Sequence, residues 1–231
     1  MSGNQSEQWT AVDGYFSNLF IQPDKALSQA LTASTNAGLP EIAVSPNQGK
    51  FLQLLVRMCN ARRVLEIGTL GGYSTIWMAR ALPIDGVLIT LELDSKHAEV
   101  ARANFKNAGV EKNIMLRQGA AVDTMQQMIA EKAEPFDLIF IDADKVNIPH
   151  YFTMSLALSH IGTVIIVDNV VRQGEVINEG STDANVIGVR EFNRLASAEP
   201  RISATALQTV GAKGYDGLVI MQVVDPDQNS R

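Results

Sequence analysis

Between residues 63 and 169 one pattern repeats along the chain. A short apolar run rich in β-branched residues ends at a glycine, an acid or an amide, and a longer stretch that reads as helix follows. The runs are RVLEIG (63–68), VLITLEL (87–93), IMLRQG (114–119), FDLIFID (136–142) and TVIIVDN (163–169). The stretches between them are 72–82, 95–108, 121–133 and 147–160. Strand–helix alternation with roughly 20–30 residues per unit calls for βαβ crossovers, which build a parallel sheet. The near-continuous apolar character of the runs means that both faces of that sheet are covered.

The flanks read differently. DKALSQALTAS (24–34) spaces Ala26, Leu27, Ala30 and Leu31 as a helix does, and Gly38 and Pro40 stop it. NQGKFLQLLVRMCN (47–60) puts Phe51, Leu54, Leu55 and Met58 on one helical face. Late in the chain a helix at 183–198 leads to two β-runs, ISATALQTV and LVIMQVV, joined by the glycine-rich GAKGYDG. That predicts an antiparallel hairpin at the sheet edge. With no internal repeat and no long linker, the expectation is one α/β domain over 1–231. It comprises a helical N-terminal extension (1–45), a core (46–224) and a frayed tail (225–231).

Composition narrows the function classes. The 231 residues can bury a sizeable core. Net charge is 19 − 25 = −6, and no Lys/Arg block stands out, which argues against nucleic acid as a partner. No apolar run nears the ~20 residues that span a bilayer. The opening MSGNQSEQW lacks the basic and apolar regions of a secretory signal. One cysteine, Cys59, excludes an intrachain disulfide and fits a cytoplasmic protein. On an apolar helical face it reads as a packing residue rather than a nucleophile. His97, His150 and His160 are scattered and read as surface or helix-packing residues.

In an open parallel sheet, ligands bind beyond the carboxyl ends of the strands, and the polar residues of interest gather there. In LEIGTLGGYS (65–74), Gly68, Gly71 and Gly72 allow a tight turn and close backbone approach, and Glu66 sets a carboxylate at the strand end. The spacing is neither GxGxxG nor a P-loop. Glu92 stands where an acid typically accepts hydrogen bonds from ribose hydroxyls. The small residues of GAA (119–121) leave room for a flat ring. FIDADK (140–145) and VDN (167–169) end two strands in Asp142, Asp168 and Asn169. Three side-chain oxygens, with no paired Cys or His, suit a hard cation such as Mg²⁺. The same residues also fit a plainer reading, in which the aspartates cap the segments that follow and Asp168–Asn169 is a turn.

Together, LEIGTLGGYS, the E-x-D at 92–94, FIDADK-x-N and VDN resemble the cation-dependent O-methyltransferases, the group of caffeoyl-CoA and catechol methyltransferases and their bacterial relatives. The resemblance runs from about Val44 to Val224, and SPNQGKFL and GAKGYDG look like the bacterial branch. It implies a class I S-adenosylmethionine-dependent methyltransferase fold. That fold is Rossmann-like, with a seven-stranded, mostly parallel sheet, an antiparallel last strand and helices on both faces. It implies S-adenosylmethionine as cofactor, with Glu66, Gly68, Thr69 and Ser74 around its methionine part. Glu92 would meet the ribose and Ala121 the adenine edge, and Val44 and Asp144 would also line the site. It implies a divalent cation, Mg²⁺, on Asp142, Asp168 and Asn169, with Lys145 facing the acceptor hydroxyl as general base. The acceptor would be a small catechol-like phenol. A homodimer is expected as well, because the N-terminal helices carry more apolar surface than one sheet face needs.

Two positions depart from the family. Ile148 stands where an aromatic residue is usual and is expected to alter the wall of the acceptor pocket, and Gly162–Thr163 replace a pair of glycines. Rival readings explain less. A nicotinamide dehydrogenase lacks its GxGxxG, and a nucleic-acid methyltransferase lacks a basic stripe and a DPPY-type loop. A cofactor-binding protein without turnover leaves the acidic set and Lys145 idle, whereas a methyltransferase with a non-catechol acceptor stays open.

Overall fold

The computed structural model describes residues 3–227, so residues 228–231 of the expected frayed tail lie outside the described residues. Three helices come first: α1 (Gly3–Phe20), α2 (Lys25–Asn36) and α3 (Pro46–Met58). The alternation follows as β1 (Arg63–Ile67), α4 (Tyr73–Ala79), β2 (Val87–Glu92), α5 (Ser95–Asn107), β3 (Ile114–Gln118), α6 (Ala121–Ala130), β4 (Phe136–Ile141), α7 (Ile148–Ala157) and β5 (Ser159–Asp168). The chain closes with α8 (Ala184–Ala198), β6 (Ile202–Gly211) and β7 (Gly214–Val223). Helix starts follow local chemistry. Asp24, Ser45, Asp94 and Asp183 each accept a backbone N–H of the first turn they precede.

The seven strands form one sheet in the order β3-β2-β1-β4-β5-β7-β6. β1 to β5 are parallel, and β7 runs antiparallel between β5 and the edge strand β6, as the predicted hairpin requires. The order reverses between β1 and β4, which opens a crevice at their carboxyl ends. Successive strand residues point to opposite faces. Leu65, Ile67, Ile139, Ile141, Ile165 and Val167 pack under α6, α7 and α8. Val64, Leu88, Leu138, Phe140 and Ile166 pack under α2, α3, α4 and α5. Both faces are therefore covered. Among the described residues no helix is long and apolar enough to cross a membrane.

Four expectations need correction. The buried face of α3 is Leu52, Leu55 and Val56, whereas Leu54 and Met58 are 43% and 75% exposed. Both stripes of this helix are apolar. Its orientation is set by Gly49, where an added Cβ would lie 2.4 Å from the Trp77 ring of α4. The helix predicted over 147–160 ends at Ala157, because Ser159 already pairs with Phe136 and opens β5. An irregularity in the β4–β5 register follows, and Thr163 of the Gly162–Thr163 pair donates across it to the Phe136 carbonyl at 2.7 Å. GAKGYDG is mostly strand, and only Ala212 and Lys213 lie between β6 and β7. Ile148 is fully buried in the core beneath α6, α7 and α8, so it forms no part of a pocket wall. Cys59 is half-buried at the core margin, and burial pushes its thiol up, which keeps it from being a ready nucleophile.

Candidate active site

A cavity of about 690 Å³ lies at the carboxyl ends of the parallel strands. On one side are the turns after β1, β2 and β3; on the other are those after β4 and β5. The first turn depends on Gly68. Its φ is +98°, and a Cβ there would sit 2.1 Å from the Asp142 carbonyl oxygen. Only a glycine lets the β1 and β4 turns pass this closely. Gly68, Thr69 and Ser74 line the cavity, together with Val44 from the segment before α3.

Glu92 ends β2 and also lines the cavity. Its Oε2 accepts the backbone N–H groups of Thr69 (3.2 Å) and Leu70 (2.7 Å), and its Oε1 accepts that of Asp94 (2.9 Å). A carboxylate has about four acceptor sites, so it can still receive a ligand hydroxyl while it anchors the glycine turn. Glu92→Ala is therefore expected to weaken cofactor binding by roughly 1.5–3 kcal/mol. Calorimetry with S-adenosylmethionine measures this, and an unchanged dissociation constant would take Glu92 out of the site. Ala120, Ala121 and Val122 lie beyond, where the small side chains leave space.

Glu66 does not line the cavity. It shares the strand face of Val64, is fully buried, and points at α4. Ser74 donates to it at 2.6 Å, Thr75 at 2.5 Å and Thr90 at 2.7 Å. Thr90 spends its proton on Glu66, so Thr69 donates to Thr90 at 2.5 Å. Glu66 thus fixes two cavity residues, Ser74 and Thr69, from behind. Burial pushes its carboxyl up to about 7, against the three hydroxyl donors that favour the charged form. A raised acid favours folding while protonated, and that stability is lost as pH rises from about 4.5 through about 7. Glu66→Gln should therefore gain in stability relative to wild type between pH 5 and pH 8, by on the order of 3 kcal/mol at most, which thermal melts at the two pH values read out. A difference that does not move with pH would contradict the burial of a titrating group here.

The other side holds the acids. Asp142 follows β4, and its Oδ1 lies 3.0 Å from Lys145 Nζ. Lys145 is only 7% exposed yet reaches the cavity. Asp168 ends β5 in a buried position. Burial, and then the charge of Asp142, push its carboxyl well above the usual range. Gln48 of α3 donates to Asp168 Oδ2 at 2.6 Å, and the Asn169 N–H donates to Oδ1 at 2.8 Å. Asn169 takes a left-handed backbone (φ 58°) and lines the cavity. Of the two aspartates read as possible caps, neither caps a helix. The cap of the short turn 145–147 is Asp144, which accepts from the Asn147 backbone (3.2 Å), from Asn147 Nδ2 (2.6 Å) and from the Tyr151 hydroxyl (2.6 Å). Asp144 lines the cavity as well.

Asp142, Asp168 and Asn169 fit a hard divalent cation. Two neighbouring carboxylates carry more negative charge than Lys145 offsets, and after burial the charge of Asp142 is the second cause that raises Asp168. Among the described residues no three His, Cys, Asp or Glu side chains form a metal-holding group, so the third oxygen would be the Asn169 amide. Gln48, His97, Arg172 and Asn185 were not anticipated. His97 Nδ1 stands 3.6 Å from Glu92 Oε1 and lines the cavity with Arg172 and Asn185. Gln48 lies within SPNQGKFL, but nothing in that stretch points to Asp168, and no local motif marks the other three. Gln48 meets Asp168 across 120 positions of sequence.

Known proteins resemble the chain over nearly its whole length. The model of a family described as O-methyltransferase matches residues 21–222. A catechol O-methyltransferase of Niastella koreensis is 52% identical, with 91% of this chain and 95% of that protein covered. A catechol O-methyltransferase of Mycobacterium tuberculosis is 47% identical, with 92% and 94% covered. The crystal structure of an O-methyltransferase from Bacillus cereus, in complex with SAH, superposes with a TM-score of 0.93 at 56% identity, covering 94% of this chain and 99% of that one. By the family model that spans it, and by its likeness in sequence and fold to these relatives, the chain belongs to the O-methyltransferase family.

Proposed function

We propose that the protein transfers a methyl group from S-adenosylmethionine to a hydroxyl of a small catechol-like phenol, aided by Mg²⁺ or a similar divalent cation. The observation that carries this reading is one cavity with two unlike halves. The glycine turn and Glu92 line one half, and Asp142, Lys145 and Asn169 line the other. The names of the Niastella koreensis and Mycobacterium tuberculosis relatives and the SAH in the Bacillus cereus structure favour it.

In this reading Glu92 and the Gly68 turn hold and orient the cofactor, which when bound supplies an electrophilic methyl group on a sulfonium. Asp142, Asp168 and Asn169 would hold the cation, which supplies the positive charge that favours an ionised acceptor hydroxyl at neutral pH. Gln48 and the Asn169 N–H fix the Asp168 carboxylate through its two oxygens. Lys145 Nζ, positioned by Asp142, would take the hydroxyl proton as the free amine, having given up its own extra proton once the bound cation supplies the positive charge beside Asp142. The largely buried setting of Lys145 limits how far bulk water competes for that step.

An acceptor panel tests the reading. Labelled S-adenosylmethionine is offered with catechols, monophenols and aliphatic alcohols, and products are identified by mass. Methylation confined to catechols is expected. Turnover of monophenols at equal efficiency would favour a non-catechol acceptor, and none with any hydroxyl would leave a cofactor-binding protein.

We also propose a cytoplasmic homodimer. Along α1, Val12, Tyr15, Phe16, Leu19 and Phe20 are exposed together, with Phe20 at 66%. The helix itself is tied down by Asp13, which accepts from the Ala212 N–H at 2.8 Å and from Asn47 Nδ2 at 3.1 Å. A fixed helix with an aromatic outer face suits a partner copy. Sedimentation should return twice the 25.1 kDa chain mass, and a mass of one chain at micromolar concentration would contradict it.

A further inference from the structure

Arg172 lies at the end of the cavity away from the β2 and β3 turns. It follows β5 three residues after Asn169, and it lines the cavity with Asn169, Lys145, Asn147 and Asn185. Its backbone is left-handed (φ 53°), and so is that of Gln173 (φ 57°). Non-glycine residues seldom adopt this conformation, and runs of it persist only where the surroundings impose it. Here Asp216 imposes it. Its Oδ1 accepts the N–H groups of Val171 (2.9 Å), Arg172 (3.0 Å) and Gly217 (2.9 Å). The result is an arginine held against the cavity by a fixed turn.

The guanidinium has little to do within the protein. Nη1 approaches Asp216 Oδ2 only to 3.8 Å, and that carboxylate already serves three amides through its other oxygen. Nε is buried and has no hydrogen-bond partner among the described residues. A buried donor left unpaired costs free energy, so the protein by itself leaves this guanidinium under-satisfied. The side chain is 30% exposed, and Arg172 lines the cavity. The other basic side chains of the cavity have partners: Lys145 lies against Asp142, and His97 lies toward Glu92. Glu92, Asp142 and Asp144 line the same cavity, so an anionic acceptor would be repelled unless a cation met it.

We propose that Arg172 sets acceptor choice by binding a carboxylate carried on the aromatic acceptor, at the end opposite the hydroxyl that is methylated. A guanidinium fork matches a carboxylate through two parallel hydrogen bonds, whereas a neutral amide carbonyl offers no charge and a poorer fit. This assignment rests on the methyltransferase reading above, since it takes the β4 and β5 side of the cavity as the acceptor side.

Calorimetry with four probes tests it, in the presence of S-adenosylhomocysteine and Mg²⁺: 3,4-dihydroxybenzoate, 3,4-dihydroxybenzamide, 4-hydroxybenzoate and 4-hydroxybenzamide. Wild type should bind each acid more tightly than its amide by roughly 10- to 100-fold. In Arg172→Gln that ratio should fall to near one, and Arg172→Lys, which keeps charge without the fork, should lie between. The acid-to-amide ratio reports on Arg172, and the dihydroxy-to-monohydroxy ratio reports separately on the catechol reading. Acids that bind wild type no better than their amides, or not at all, overturn the proposal. So does an unchanged ratio in Arg172→Gln or, if that variant does not fold, in Arg172→Lys.

Discussion

Lys145→Ala is expected to bind cofactor and cation much as wild type does, yet to turn over about 10²–10⁴-fold more slowly, the range for a lost general base. Lys145 Nζ is positioned at 3.0 Å by Asp142, on a side chain almost withdrawn from water. Removing it deletes the proton acceptor without touching Asp168 or Asn169. The rate should recover in part at higher pH, where solvent takes the proton instead. A second consequence follows from charge. Lys145 partly offsets Asp142 and Asp168, and without it the two carboxylates stand nearly uncompensated. The cation-free variant should therefore melt lower than wild type. Turnover and a pH profile that match wild type would make Lys145 a bystander.

Asp142→Ala is expected to lose cation-dependent turnover, by more than the roughly 10–100-fold typical when an outer partner of a metal ligand is removed. The variant leaves one carboxylate and one amide, a poor set for a hard cation. Cofactor affinity should change little, because Glu92 and the Gly68 turn remain. The Asp168 carboxyl should move back toward its ordinary range, since one of the two causes that raise it is gone. Direct cation titration by calorimetry measures the first effect apart from activity. An Asp142→Ala protein that binds Mg²⁺ as tightly as wild type would exclude Asp142 as a ligand.

Much of the fold was legible because the strands carry their own signal. Runs such as FDLIFID and TVIIVDN are apolar on both faces and stop at acids, which fixes strand ends and a parallel sheet. The direction of a side chain at a strand end was harder to read. Glu66 and Val64 share a parity, but only the packing of α4 reveals that this face lies behind the glycine turn rather than at the cavity. The α3 error has a similar root. Phe51, Leu54 and Met58 are as apolar as Leu52 and Val56, so hydrophobicity cannot orient the helix; the contact of Gly49 with Trp77 does. Gln48, Arg172 and Asn185 reach the site from separate elements, and neither the SPNQGKFL stretch around Gln48 nor the sequence around the other two names their partners, so only the folded chain brings them together. That Asp142, Asp168 and Asn169 gather at neighbouring strand ends was legible because they end β4 and β5, which pair side by side.

The most direct measurement is methyl transfer from labelled S-adenosylmethionine to 3,4-dihydroxybenzoate in three states: as purified, after exhaustive chelation, and after Mg²⁺ is returned. Transfer should stop on chelation and return with Mg²⁺, while the affinity for S-adenosylmethionine stays largely constant throughout. Full turnover by the chelated enzyme would contradict the assignment of Asp142, Asp168 and Asn169 as cation ligands.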